Sequence, residues 1–119
     1  FFDGLDAIVY VPLHPRKESR RGYNQSRHIA RGISRVSGLP VEDFLRADQP
    51  HRSQTNKTLE QRRKNVEGIF SASPSVAGKR LLLVDDVITT GSTMLACCDV
   101  MQQAGVSEVR ILSLAFANL

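Results

Sequence analysis

The sequence predicts an α/β fold, a mainly parallel sheet flanked by helices, and three observations carry that expectation. Short apolar, β-branched runs alternate with segments of helical periodicity. The strongest run, Arg80 to Val84, ends in two adjacent aspartates, and a Thr-Thr-Gly-Ser-Thr turn then leads into a helical pattern. The chain has 119 residues, enough for a single core and too few for two.

The elements follow in order. Ala7 to Pro12 is a β-branched run closed by proline, read as a buried strand. After a loop, Tyr23 to Val36 carries Ile29, Ala30, Ile33 and Val36 at helical spacing. Arg27, Arg31 and Arg35 lie on another face, and Gly38 and Pro40 close the helix. Phe44 to Ala47 and Gly68 to Ser71 are short strand candidates. Between them, residues 48–66 have Leu59 and Val66 as their only sizeable aliphatics, which gives that stretch little to pack with. Arg80 to Val84 is the next strand. A helix from about Ser92 to Ala104 has Met94, Cys97, Val100, Met101 and Ala104 on its apolar side and ends at Gly105, and Val109 to Ala115 is the last strand.

Composition narrows the function classes. No apolar run approaches the roughly 20 residues that cross a bilayer, and Phe-Phe-Asp-Gly-Leu-Asp lacks the basic start of a signal peptide, so a cytoplasmic protein without a membrane partner is the expectation. Cys97 and Cys98 are adjacent, which rules out an ordinary disulfide between them and leaves them as small residues on a helix. Of the 16 Lys and Arg, 13 fall between His14 and Lys64 against five acids, whereas residues 65–119 hold three bases and five acids. That asymmetry suits a polyanion, either nucleic acid or a phosphorylated small molecule, though a solvated helix face has the same composition.

Residues 81–93, Leu-Leu-Leu-Val-Asp-Asp-Val-Ile-Thr-Thr-Gly-Ser-Thr, carry the chemistry. At a strand's carboxyl end, Asp85 and Asp86 emerge into a crevice. The turn after them offers backbone N–H groups, a helix amino terminus and the hydroxyls of Thr89, Thr90, Ser92 and Thr93, with Gly91 permitting close approach. Carboxylates accept hydrogen bonds from sugar hydroxyls while the cup takes a phosphate, so the pattern fits a ribose 5-phosphate. Taken singly, such aspartates cap turns and such threonines cap helices; the whole pattern favours the ligand.

The same residues resemble the phosphoribosyl pyrophosphate (PRPP) motif of the type I phosphoribosyltransferases. Val11 to Ser26, with Arg-Gly-Tyr-Asn-Gln at 21–25, and Arg52 to Phe70 resemble the ComF-like, amidophosphoribosyltransferase-like branch. The resemblance implies a type I phosphoribosyltransferase fold with a flexible lid loop. Asp85 and Asp86 would be the catalytic pair holding the ribose hydroxyls, and Thr89, Thr90, Gly91, Ser92 and Thr93 the 5-phosphate site. Leu13, His14, Pro15 and Arg16 would form the pyrophosphate loop. Residues from about Gln49 to Val66 would be the flexible loop, with Arg52, Gln54, Thr55, Arg62 and Asn65 as contacts. The implied reaction displaces pyrophosphate from PRPP by a nitrogen nucleophile, with Mg²⁺ held mainly through substrate oxygens and not directly by the protein.

Relative to that branch the chain starts at Phe1, just before the first strand. The expectation is therefore one phosphoribosyltransferase domain over 1–119, lacking an amino-terminal zinc-binding segment and helix. Purine-pathway amidophosphoribosyltransferases release ammonia from glutamine with an amino-terminal cysteine, and residues 1–119 present none there, so the expectation is that no glutamine-dependent reaction runs on these residues alone. Alternatives to transfer are a non-catalytic PRPP-binding regulator and a competence accessory protein that binds single-stranded DNA or the DNA-uptake machinery. The partners these readings name are PRPP, pyrophosphate, DNA and a second copy of the chain in a homodimer.

Overall fold

Ala-Ile-Val-Tyr, the first buried run, forms strand β1 (Ala7–Tyr10), and all four side chains are buried. A strand enclosed on both faces has no need of polar alternation, and none is found here. The computed structural model of the chain describes residues 2–13, 24–48, 69–88 and 91–116. Helix α1 (Gln25–Ser37) follows, then β2 (Leu45–Ala47), β3 (Phe70–Ala72), a 3₁₀ turn at Pro74–Val76, β4 (Arg80–Ile88), α2 (Ser92–Gln103) and β5 (Glu108–Phe116).

Strands β1, β4 and β5 make one parallel sheet in the order β1-β4-β5. β2 and β3 pair antiparallel as a separate ribbon, Leu45 opposite Ala72 and Ala47 opposite Phe70. This is the expected α/β class with a mainly parallel sheet. Parallel strands need crossovers, and the two helices supply them on opposite faces.

The alternation of β4 assigns those faces. Leu81 and Leu83 pack with Met94, Cys97 and Met101 of α2 and with Leu45, Ala47 and Phe70 of the ribbon. Leu82 and Val84 turn the other way, to Ala30, Ile29 and Ile33 of α1. Leu81, Leu82, Leu83 and Val84 are all fully buried, each stabilising the fold by roughly 1.5–3 kcal/mol relative to exposure. The apolar side expected for α2 is the packed one.

Three expectations need correction. β4 does not stop at Val84 but runs to Ile88, because β5 pairs with it as far as Ile88 opposite Phe116. α1 begins at Gln25, not Tyr23, because Asn24 caps it: the Asn24 side chain accepts a hydrogen bond from the Arg27 N–H. Val36, counted with the apolar stripe, is 85% exposed, for in the last turn it lies outside the cluster that covers Ile29 and Ile33. Gly38 closes α1 in the left-handed conformation, φ +80°, as its position predicts. Among the described residues no helix is long and apolar enough to cross a membrane.

Candidate functional site

The site begins where β4 loses one neighbour and keeps the other. On the β1 side pairing ends at Tyr10 opposite Val84, and the Val11 N–H makes the last bond, to the Val84 carbonyl at 3.0 Å. On the other side β5 continues, with Ser113 opposite Asp85. The aspartates therefore lie within a strand, paired to β5 and just past the last β1 pair.

Both aspartates are partly buried. Asp85 Oδ1 accepts the Asp86 N–H at 2.9 Å, and Asp86 Oδ1 accepts the Val87 N–H at 2.9 Å. These bonds hold each carboxylate close to its own backbone. The Ser26 hydroxyl, from the first turn of α1, reaches Asp85 Oδ1 at 3.0 Å across 59 sequence positions. Burial is the main reason the Asp85 carboxyl is pushed up to about 6, and its hydrogen bond with the Asp86 carboxyl adds to the rise. The Ser26 hydroxyl and the Asp86 N–H act against it. The result is a carboxylate poised near neutrality in a site that can receive hydroxyl donors.

Past the aspartates, α2 opens at Ser92 with Gly91 as its N-cap, φ +81°. A glycine cap carries no side chain to occupy the first N–H groups of the helix, and its left-handed conformation is one that other residues enter only with strain. Among the described residues, a Cβ built at Gly91 would meet nothing within 4 Å. That space lies at the positive end of a 12-residue helix, a location suited to a phosphate. Ser92 is buried and Thr93 partly buried.

The remaining expected residues divide in two. Leu13 is described and partly buried after β1. Thr89 and Thr90, His14, Pro15 and Arg16, and the lid contacts Arg52, Gln54, Thr55, Arg62 and Asn65 lie outside the described residues. Burial pushes the Cys97 thiol up, with Cys98 and then Asp85 adding to the effect, so Cys97 is a core residue and not a nucleophile. Among the described residues no group of three or more His, Cys, Asp or Glu gathers as a metal site.

Sequence reasoning assigned no role to Ser26, Asn24 or Tyr10. Asn24 Nδ2 donates to the Val11 carbonyl at 3.3 Å, tying the start of α1 to the end of β1. The Tyr10 hydroxyl donates to Asp43 and accepts from Arg27 Nε at 3.2 Å, with the Arg27 guanidinium 5.6 Å over the Tyr10 ring. The available signal was the polar run Asn-Gln-Ser placed just ahead of an apolar helical stripe.

The chain is 34% identical over 116 residues to Competence protein F of Haemophilus influenzae, covering 94% of this chain and 51% of that protein. It is 31% identical over 107 residues to the DNA utilization protein YhgH of Escherichia coli K12, covering 89% and 47%. The chain thus spans about half the length of the curated relatives it matches. Among solved structures, the glutamine PRPP amidotransferase of B. subtilis complexed with ADP and GMP superposes with a TM-score of 0.61 at 25% identity, over 91% of this chain and 22% of that one. Adenine phosphoribosyltransferase of Saccharomyces cerevisiae shares the fold, with a TM-score of 0.53 at 18% identity over 95% of this chain and 56% of that one. A family model, the phosphoribosyl transferase domain, matches residues 20–118. With a parallel sheet whose central strand carries the aspartate pair, and with these relatives, the chain belongs to the type I phosphoribosyltransferase family, in its ComF-like branch.

Proposed function

We propose that this domain binds PRPP with Mg²⁺ and transfers its phosphoribosyl group to a nitrogen nucleophile, releasing pyrophosphate. The observation that carries the reading is the placement of Asp85 and Asp86 on the strand that leads into the glycine-capped start of α2. Carboxylate oxygens accept hydrogen bonds from ribose hydroxyls, and the amino-terminal turn of α2, whose glycine cap offers no side-chain acceptor, takes the 5-phosphate. Mg²⁺, bound to polyphosphate oxygens, would neutralise charge on the leaving group. The oxygen chemistry of Asp85 and Asp86 is compatible with such a hard cation nearby. The chain's own part is to orient the sugar through the aspartates and hold its phosphate at α2, leaving the anomeric carbon open to the nucleophile.

Isothermal calorimetry with Mg²⁺ and PRPP tests the reading on the wild type and on a variant carrying Asp85→Asn with Asp86→Asn. The wild type is expected to bind and the variant to show no measurable heat while keeping its cooperative melt. Equal affinities would remove the ribose-binding role. A second reading, an accessory protein contacting single-stranded DNA, is favoured by the basic first half of the chain and by relatives named for competence and DNA utilization. Pyrophosphate release in the presence of nucleobases and amines separates a transferase from a domain that only binds PRPP.

A further inference from the structure

Three side-chain contacts fix the first turn of α1 against β1. Asn24 donates to the Val11 carbonyl and caps the helix through the Arg27 N–H. Arg27 in turn stacks on Tyr10 and donates to its hydroxyl. Ser26 sits between these anchors, 4% exposed, and its hydroxyl lies 3.0 Å from Asp85 Oδ1. We propose that Ser26 is a positioning residue for Asp85, its hydroxyl fixing one carboxylate oxygen so that Asp85 meets the ligand's hydroxyls in a single orientation. The proposal rests on the reading of Asp85 as a ribose contact.

An ionised carboxylate has only lone pairs to offer, so the Ser26 hydroxyl must donate in this bond. The Asp86 N–H donates to the same oxygen at 2.9 Å. Two donors from different elements, one on α1 and one on β4, meet at this one oxygen, so the carboxylate is held from outside its own strand as well as from within it. A rigid helix turn delivers the second donor, which is how a contact group is held within a few tenths of an ångström of its working position. Ser26 thereby also favours the charged form of Asp85, against burial and against Asp86. Among the described residues, the titratable group acting on Asp85 is Asp86 beside it, while Cys97 on α2 stays a neutral thiol that Asp85 itself pushes up. Arg27 is turned onto Tyr10, His28 is exposed, and β5 sets the non-titrating Ser113 opposite.

Ser26→Ala and Ser26→Cys test the idea together. Cysteine keeps nearly the volume of serine but is a weak donor, so a space-filling role survives that change and a positioning role does not. Carbon NMR titration of the Asp85 carboxyl in ligand-free protein should show a higher midpoint in both variants than in the wild type, with cooperative melting retained. Affinity for Mg²⁺ with PRPP at pH 8 should fall by about tenfold in both, the effect of losing a hydrogen bond to a charged group. Binding should also set in at a higher pH than in the wild type. A titration midpoint unchanged in Ser26→Ala, or wild-type affinity in Ser26→Cys, would overturn the proposal. Failure of the wild type to bind Mg²⁺ with PRPP overturns the ribose reading itself, and it is read on a different sample from the ligand-free titration, so the two failures are distinct.

Discussion

At the scale of single residues, Asp85 sets two demands against each other. A carboxylate that receives sugar hydroxyls has to be ionised and accessible, whereas burial beside Asp86 resists ionisation and moves its titration from an ordinary 3.8 to about 6. Between about pH 4 and pH 6 the folded protein binds more protons than the unfolded chain, so stability falls as pH rises through that window. The full cost is present above it. Asp85→Asn removes the titration while its side-chain oxygen still accepts from Ser26 and Asp86. The variant should therefore be more stable than the wild type at pH 8, by about 1 kcal/mol once solvent screening of a partly exposed group is allowed for. The advantage should vanish at pH 4. Urea melts at the two pH values check this, and no difference at pH 8 would mean that Asp85 carries no burial cost. The aspartate pair was legible in the sequence because its neighbours are local. Ser26 was not, because its partner lies 59 positions away and only the fold brings the two together.

Among the elements, β4 shows what periodicity can and cannot reveal. Its apolar core is obvious, yet its extension through Asp85, Asp86, Val87 and Ile88 depends on β5, a partner that composition does not announce. Val36 illustrates the complementary failure: helical spacing gives its angular position, but how far the covering cluster reaches decides its burial. The start of α2 was readable because Gly-Ser-Thr at 91–93 joins a residue free to take positive φ to two that favour helix starts. Gly91 holds φ +81°, and no described residue lies where a Cβ would stand. Gly91→Ala should cost about 1–2 kcal/mol of stability through backbone strain alone, without a clash. Its effect on PRPP should be larger than that strain predicts, since the methyl group would stand in the space assigned to the phosphate. Thermal melts give the first quantity and calorimetry the second. Affinity lost only in proportion to stability would move the phosphate away from this helix end.

For the whole molecule, the distribution of charge bears on the choice between a small polyanion and a nucleic acid. Among the described bases, Arg31 and Arg35 are exposed on α1, Arg46 on β2 and Arg80 at the start of β4. Arg46 is already paired with Asp48 at 2.9 Å and Arg110 with Glu108 at 2.9 Å. Stacking platforms for single strands need aromatic faces among the basic groups, and the basic region from His14 to Lys64 offers only Tyr23 and Phe44. Phe44 packs partly buried against the core, with Lys79 5.9 Å from its ring. DNA affinity should accordingly come from phosphate contacts alone. With about five such contacts on a single strand, binding should weaken about a hundredfold between 50 and 200 mM salt. It should also be nearly indifferent to base composition. Fluorescence anisotropy with labelled oligonucleotides across that salt range measures the slope directly. PRPP at saturating concentration should leave the oligonucleotide affinity unchanged if the bases that hold DNA lie away from Asp85 and α2. Tight binding with a shallow salt slope would require a recognition surface that charge does not provide, and would shift the favoured function from phosphoribosyl transfer to DNA handling.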